Sequence, residues 1–482
     1  SPRRGWSARL PLVLLVLALL AICLVLVRTG RYGPGLSPDS VTYVSVAESL
    51  WAGRGFVRYD GSLYVHWPPL CPSLLALLEG SGIGAVAGAR WLNAALFGVT
   101  VYLSGSLFRL CLRSTALTVI GTLSVFSAPL LLSSGYVWSE PLFTVLVLSF
   151  VLVAARTASR PGRPRLAALA VLAALACLQR YTGVALIPVG VLAILFLARS
   201  WTAVRRAAYA AGFALSALTP LAVWLWRNYV LTGTLAGSRR PSPYTLLGNV
   251  RHTADVMTSW FLPGLLPLTG RVVALAVAAG VLFVYLPFLV YTVTSSTQSP
   301  VNYRYLAPLY PLVMCLAFGL LEKAGARSGR FPDKGPTRVS PVLIGLCALW
   351  LVYPLSRTVF NVVEGFQKGA GGYNTAAWRD SRLVQWLQDH PLDGPVYSNA
   401  VDVVYILGGI SEARYVPYRG QGFSHFVDTL PSDGLAYLVW FDAVDRDYLY
   451  NLDELSAVLA IQEGVRVADG AVYHIAPLER SG

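Results

Sequence analysis

Residues 10–27 read LPLVLLVLALLAICLVLV, eighteen positions from Leu10 to Val27 without a charge. A helix needs about 20 mostly apolar residues to cross a bilayer. Arg3, Arg4 and Arg9 stand just ahead of this run and Arg28 closes it. A basic flank before an apolar run also marks an export leader. No small-residue cleavage motif follows, so the run reads as a retained span.

The pattern recurs along the chain. Further candidate spans are Trp91–Leu107, Thr115–Leu132, Pro141–Ala155, Leu166–Leu178, Val184–Ala198, Ala207–Trp226, Val272–Thr292, Tyr305–Leu321 and Pro341–Leu355. Composition agrees: 55% of the 482 residues are apolar and 13% charged, against about 25% charged in a soluble domain. Disorder is excluded, because it requires low hydrophobicity. The charge divides sharply. Residues 1–357 hold 30 Lys/Arg and 8 Asp/Glu, whereas residues 358–482 hold 8 and 16. The net +14 therefore averages a basic membrane part and an acidic tail, and is no sign of a nucleic-acid partner. The six cysteines form no CxxC and no paired spacing, so neither a disulfide framework nor a zinc site is indicated.

Positive loops stay in the cytoplasm, and this fixes the count. With the N-terminus inside, Arg109/Arg113, then Arg156–Arg165, then Arg199–Arg206 all fall inside. Lys323, Arg327, Arg330, Lys334 and Arg338 do so only if one more span lies between Trp226 and Val272. Thr253–Leu268, with Trp260-Phe261-Leu262, is the best candidate. The expectation is a polytopic α-helical membrane protein of about eleven transmembrane helices over residues 1–357, in the plasma (inner) membrane and surrounded by its lipids. It leaves a large first outer loop, residues 28–90, and an outer tail, residues 358–482. Gly365–Gly372 reads as a hinge between the two. In the tail, Ala376–Gln388 and Leu449–Leu459 read as helices, Pro395–Ser398 and Leu435–Phe441 as strands, and Val465–Val467 with Val472–Ile475 as a hairpin. That pattern is a small extracytoplasmic α/β domain.

This topology gathers most acids of the membrane part on the outer side. Val41, Val44, Ala47 and Trp51 recur at helical spacing, so an amphipathic helix should lie at the membrane surface, with Asp39 in its first turn and Glu48 facing water or the surface. Asp39 reads equally as a helix-start residue suited to the cap and dipole or as a general base. Glu140, in Ser139-Glu140-Pro141, opens an apolar helix. It suits the dipole there, yet a carboxylate at membrane depth is costly and marks function by default. His66, in His66-Trp67-Pro68-Pro69, is either a solvated loop histidine or a donor to a phosphate or sugar hydroxyl. Arg180 and Arg304 each join two spans on the outer side. Such an arginine either snorkels or grips a lipid phosphate bidentately. Tyr303 and Tyr305 flank Arg304, which favours phosphate there. Arg227 is a further outer cation. Asp39, Glu140 and His66 carry oxygen and nitrogen ligands, so a divalent metal is possible, but no spacing supports one.

Taken together, the order of these features resembles the GT-C glycosyltransferases, in particular bacterial membrane transferases akin to protein O-mannosyltransferases and to the lipid A aminoarabinose transferase. It runs over about residues 10–321: Asp39 early in the first outer loop, Pro68-Pro69-Leu70 near its end, Ser139-Glu140-Pro141, Arg180-Tyr181-Thr182-Gly183, Trp226-Arg227-Asn228-Tyr229, and Tyr303-Arg304-Tyr305-Leu306-Ala307-Pro308. The resemblance implies inverting transfer of a sugar from a polyprenyl-phosphate donor to a glycan, lipid or protein acceptor on the outer face, with Asp39 as the base. Asp39 and Glu140 are then the catalytic candidates, and Arg304, Tyr305, Arg180, Arg227 and His66 the donor-binding ones. This chain has Asp39-Ser40 where many members have Asp-Glu, and His66-Trp67 where aminoarabinose-type members have Lys before Pro-Pro. The rival reading is a transporter or flippase of lipid-linked sugars, which calls for inverted repeats and midplane polar sites. The sequence shows no repeat.

Overall fold

The computed structural model describes residues 2–159, 162–198, 200–237, 242–261, 274–296, 300–326, 339–420, 423–427, 430–431 and 436–478. The membrane part is a helical bundle. In chain order it comprises α1 (Pro2–Arg28), α2 (Pro38–Trp51), α3 (Leu70–Gly80), α4 (Ala85–Cys111), α5 (Thr115–Ser124), α6 (Ala128–Gly135), α7 (Glu140–Ser159) and α8 (Arg163–Gln179). Then follow α9 (Leu186–Leu192), α10 (Ala203–Thr232), α11 (Leu246–Thr258), α12 (Ala274–Ser296), α13 (Tyr303–Leu306), α14 (Tyr310–Ala326) and α15 (Pro341–Lys368). Among the described residues, six helices are long and apolar enough to cross a membrane. There are seven if α5 and α6, bent by 47° at residues 125–127, form one broken span. The remaining apolar segments are shorter. Of the expected span Thr253–Leu268, residues 262–268 lie outside the described residues. Its start belongs to α11, a helix anchored by polar contacts: Asn249 donates to Thr294 Oγ1 (3.0 Å) and accepts from Val301 N–H (3.1 Å).

Outer helices keep an apolar face uncovered, as lipid contact allows. Leu12, Leu15, Val16 and Leu19 of α1 are exposed, as are Val223 and Trp226 of α10 and Leu346, Leu349 and Val352 of α15. Lipid supplies no hydrophobic drive between helices, so their association rests on close packing and buried polar contacts. At the bundle core α4 and α7 are mostly buried, with Phe97, Val101, Phe143, Val147 and Phe150 packed together. The two ends of the bundle differ. At one, Glu322 of α14 accepts from the backbone N–H groups of Arg113 (2.9 Å) and Ser114 (2.6 Å) at the start of α5. The other end gathers the C-termini of α1 and α15, the N-termini of α4, α7 and α13, the first loop and the tail.

The tail helix expected over Leu449–Leu459 is only Leu452–Ser456, because Leu459 already begins a strand; three larger expectations also change here. First, α2 is no surface helix. Nine of its fourteen residues are buried, on every face, because α3 packs on one side and the tail covers another. Glu48 does not face water; it accepts a hydrogen bond from Tyr405 of the tail. Second, Gly365–Gly372 is no hinge. Helix α15 runs unbroken to Lys368, and β1 (Gly369–Gly371) pairs antiparallel with β2 (Asn374–Thr375). Arg28, buried at the end of α1, donates to the carbonyls of Ala370 (2.8 Å) and Asn361. Leu36 and Tyr373 close the junction by backbone hydrogen bonds. Gly372 has φ +60, and a β-carbon there would collide with Leu36 O, so glycine is required. Third, Ala376–Gln388 is two helices, α16 (Ala376–Arg379) and α17 (Arg382–Asp389). Ser381 breaks the run by capping α17 through Val384 N–H (3.2 Å).

The tail is built on a five-stranded mixed sheet. Its strands are β3 (Val396–Ser398), β4 (Arg414–Tyr415), β5 (Ala436–Phe441), β6 (Leu459–Val467) and β7 (Gly470–Pro477), in the order β4-β3-β5-β7-β6. The first three are parallel, and β6–β7 is the expected hairpin, paired from Val467↔Gly470 outward. Helix α18 (Val401–Ile406) follows β3 and packs on α2. That contact brings the tail against the first loop.

Candidate active site

Four of the expected residues meet at the tail-bearing end of the bundle. Glu140 is the first residue of α7 and its side chain is wholly buried. Its Oε1 lies 2.5 Å from Arg180 Nη1 and 2.5 Å from Arg304 Nε. Arg304 Nη1 in turn lies 2.7 Å from Asp39 Oδ2. Two carboxylates and two guanidinium groups thus form one chain, Asp39–Arg304–Glu140–Arg180, with balanced charge. Taking ions out of water is affordable only when each is paired and hydrogen-bonded, and here each is. Exposure falls along the chain: 27% for the Asp39 side chain, 14% for each arginine and 0% for Glu140. Asp39 is the open end.

Local sequence explains the placements. The cap of α2 is Ser37, which forms a capping box with Ser40. Asp39 is therefore not the cap. Pro38 starts the helix and leaves the Asp39 side chain free to turn towards Arg304. Arg180 ends α8 in extended backbone, and the chain turns at once into a 3₁₀ segment, Tyr181–Ala185. Gly183 is pressed against the Ala176 carbonyl, where a β-carbon would come within 2.4 Å. The tight turn that aims Arg180 at Glu140 thus requires glycine in Arg180-Tyr181-Thr182-Gly183. Arg304 sits in α13, whose cap is Asn302, accepting from Arg304 N–H at 3.0 Å.

A second set of residues, not singled out from the sequence, holds these four. Trp138 lies under Arg304, its ring centroid 4.3 Å from the guanidinium carbon, a cation–π contact. Its indole N–H donates to Ser37 Oγ at 2.7 Å, so one ring touches both Arg304 and the cap of the Asp39 helix. Tyr136 stacks on its other side at 4.1 Å. Ser139 Oγ accepts from Arg180 at 2.8 Å, and the Ser139 carbonyl from Gln179 at 2.9 Å. The available signal was a tryptophan and a serine immediately before Glu140 in the short connection between α6 and α7.

The other candidates stand elsewhere. Tyr305 follows Arg304, half-buried, and its carbonyl accepts from Tyr285 at 3.5 Å. Arg227 lies over Trp224 (4.7 Å) and donates to the Tyr64 carbonyl (3.0 Å) and Asn228 Oδ1 (2.9 Å). It holds the segment before His66 against α10 and, among the described residues, makes no contact with the four-residue chain. His66 lies against the loop after α10, close to Gly237. Among the described residues no three His, Cys, Asp or Glu side chains come together as metal ligands.

No family model matches this sequence, and no curated protein does. Solved structures do. ArnT from Cupriavidus metallidurans bound to undecaprenyl phosphate superposes with a TM-score of 0.59 at 14% identity, over 98% of this chain and 98% of that one. Its apo state gives 0.58 at 14% identity, with the same coverage. The arabinofuranosyltransferase AftD from mycobacteria, as a mutant, gives 0.52 at 17% identity, over 96% of this chain and 41% of its own. The chain thus has the fold of ArnT over nearly its whole length, and of the part of AftD that it overlaps.

Proposed function

We propose that this protein is an inverting glycosyltransferase of the plasma membrane that moves a sugar from a polyprenyl-phosphate donor to an acceptor on the outer face. The observation that carries the reading is the graded ion chain, a solvent-open aspartate coupled to an arginine that a buried glutamate holds in place. Such a transfer needs a cationic seat for the phosphate leaving group and a base for the acceptor hydroxyl. Arg304 uses Nε and Nη1 for its two carboxylates, and Arg180 uses Nη1 for Glu140 and Ser139. Among the described residues the Nη2 groups of both have no protein partner. Those donors suit phosphate oxygens. They also offset charge that develops as the C1–O bond breaks. Asp39, at the open end, takes the proton from the acceptor hydroxyl as that oxygen attacks C1. The donor phosphate competes with Asp39 for Arg304, so donor binding frees the carboxylate for the acceptor. That ArnT was seen with undecaprenyl phosphate supports the donor class.

The broken α5–α6 pair is the feature closest to the transporter reading. Its break, Val125-Phe126-Ser127, is buried and carries no charge, whereas the charges sit at helix ends. The deciding test is transfer from a synthetic polyprenyl-phosphate sugar by the purified protein in nanodiscs. Release of free polyprenyl phosphate with a glycosylated acceptor is expected. Movement of intact donor across a vesicle membrane without release would overturn the reading.

A further inference from the structure

We infer that the tail carries a binding site for a neutral oligosaccharide, in the cleft between the end of β5 and the loop 444–451. The cleft encloses about 350 Å³, inside the range of roughly 300–1,000 Å³ of small-ligand sites. Its floor is Arg446, whose side chain is 10% exposed. The Nη groups are fully engaged: Nη2 with Asp402 Oδ1 (2.7 Å) and Tyr373 (3.3 Å), Nη1 with Tyr415 (2.9 Å) and Tyr448 (3.1 Å). Among the described residues nothing takes its Nε–H, which leaves one fixed donor at the base of the cleft. The walls include the half-buried rings of Trp440 and Tyr450, and exposed Asp445 and Asp447 stand at the rim.

The charges decide the ligand class. Arg419, the other cation of the cleft, is taken by Glu454 at 2.6 Å, and Arg446 by Asp402. The positive charges are neutralised within the protein, while Asp445 and Asp447 make no ion pair among the described residues. An anionic ligand is therefore disfavoured. Carboxylates are acceptor-only groups, suited to a ligand rich in hydroxyl donors. Large aromatic rings add apolar contact area for one face of such a ligand. Aromatic walls, carboxylate acceptors and one accessible, unpaired donor together fit a sugar chain without charge. The cleft also adjoins the joint between tail and bundle: Asp402, which pairs with Arg446, lies on α18, which packs on α2.

The test uses the full chain in nanodiscs and ligand-observed NMR. The probes are neutral pentasaccharides of gluco, manno, galacto and arabino configuration, their methyl monoglycosides, and pentagalacturonate. Saturable binding of at least one neutral pentasaccharide at millimolar concentration is expected. The matching monoglycoside, which stands for a donor sugar, should bind about tenfold more weakly. Asp447→Asn, an exposed loop change that leaves the fold alone, should weaken binding by a similar factor. Trp440→Ala should abolish it and Trp440→Phe should keep most of it. The site is independent of the chemistry, so Asp39→Asn should bind like the parent, which separates this inference from the transferase reading. Lack of binding by all four pentasaccharides overturns it. So does equal binding of pentagalacturonate, or binding unchanged in both Asp447→Asn and Trp440→Ala.

Discussion

Among the described residues, two arginine–carboxylate groups contain a wholly buried carboxylate, and they are built on opposite principles. At the bundle end, Asp39–Arg304–Glu140–Arg180 is two cations and two anions with its terminal carboxylate open to solvent. In the tail, Asp402 is wholly buried and bound by Arg446 and by the Tyr373 hydroxyl. Burial, then the Asp402 carboxylate, push the Tyr373 phenol well up, so it stays a donor to Asp402 at any working pH. The tail group closes a joint, because Tyr59 of the first loop reaches Tyr415 at 3.2 Å and Tyr415 reaches Arg446. Both carboxylates of the bundle group are spoken for by arginines, but one can leave. A group with a releasable carboxylate is suited to chemistry, and one whose carboxylate is wholly enclosed to holding parts together.

That contrast is most exposed to paired carboxamide substitutions. Asp39→Asn should lower turnover by about 10²–10⁴-fold, the usual loss for a general base. Its unfolding midpoint should be nearly unchanged, since Ser37 rather than Asp39 caps α2. Asp402→Asn should behave in the opposite way. It strands Arg446 in the interior, and breaking a buried pair costs about 3–5 kcal/mol. The unfolding midpoint should drop while per-molecule turnover of the surviving folded fraction stays within a few-fold. Thermal unfolding and transfer rates, measured on the same two preparations, test this. A stable, fully active Asp39→Asn protein would move the base to another group.

Arg304 sharpens the same contrast at smaller amplitude. Arg304→Lys keeps a charge for Glu140 but loses the planar fork that can grip phosphate oxygens while Glu140 is held. Donor affinity should recover only in part relative to Arg304→Ala, by equilibrium binding of a fluorescent polyprenyl-phosphate analogue. Equal affinity in Arg304→Ala and the parent would end the phosphate assignment. Smaller again is Ser37→Ala. It removes the cap and the acceptor of Trp138, so about 0.5–2 kcal/mol of stability should be lost. Part of the transfer rate should go with it, because the Asp39 helix is no longer tied to the ring beneath Arg304.

The parts read from sequence and the parts missed separate along a physical line. Spans and tail strands follow from local hydropathy and alternation, so α1, α4, α7, α10, β5 and the β6–β7 hairpin lie where those patterns put them. The four charged residues were each visible, Glu140 as a costly carboxylate opening a span, Arg180 and Arg304 as cations joining spans, and Asp39 as an acid at the start of a loop helix. Their contacts were not, because Glu140 and Arg304 are 164 positions apart and no local signal reports on such a pair. Errors arose where a distant part covers a local pattern. Helix α2 has a membrane-surface spacing, yet the tail lies over it. The glycines at 365–372 have a flexible composition, yet Arg28, from 342 positions away, reaches Ala370 and fixes them. Trp138 carries no distinguishing sequence signal, because an aromatic at a membrane boundary is ordinary; only its contacts with Arg304, Ser37 and Tyr136 mark it.

The smallest expected effect tests the cover over α2. Glu48 is tucked under the tail, accepting from Tyr405, with Glu79 and Arg54 as the charged groups acting on it. Burial raises its carboxyl pKa above the ordinary 4.5, and the Tyr405 hydrogen bond pulls it partly back. A carboxyl whose pKa is higher in the folded protein favours the proton-bound form there. Its contribution to stability is full below the unfolded value and is lost as pH rises through the folded one. The tail–α2 contact should therefore weaken from about pH 4.5 upward until Glu48 is fully ionised. Glu48→Gln keeps an acceptor for Tyr405 but cannot titrate. Across that window the unfolding midpoint of the parent should decline relative to that of Glu48→Gln, with the two curves meeting at low pH. Hydrogen exchange over residues 401–406 should show the same divergence, since α18 is the element that Glu48 touches. Parallel curves at all pH values would mean that Glu48 is solvated and that the tail does not seal α2. The open face of α2 would then be the membrane-surface helix that its spacing suggests.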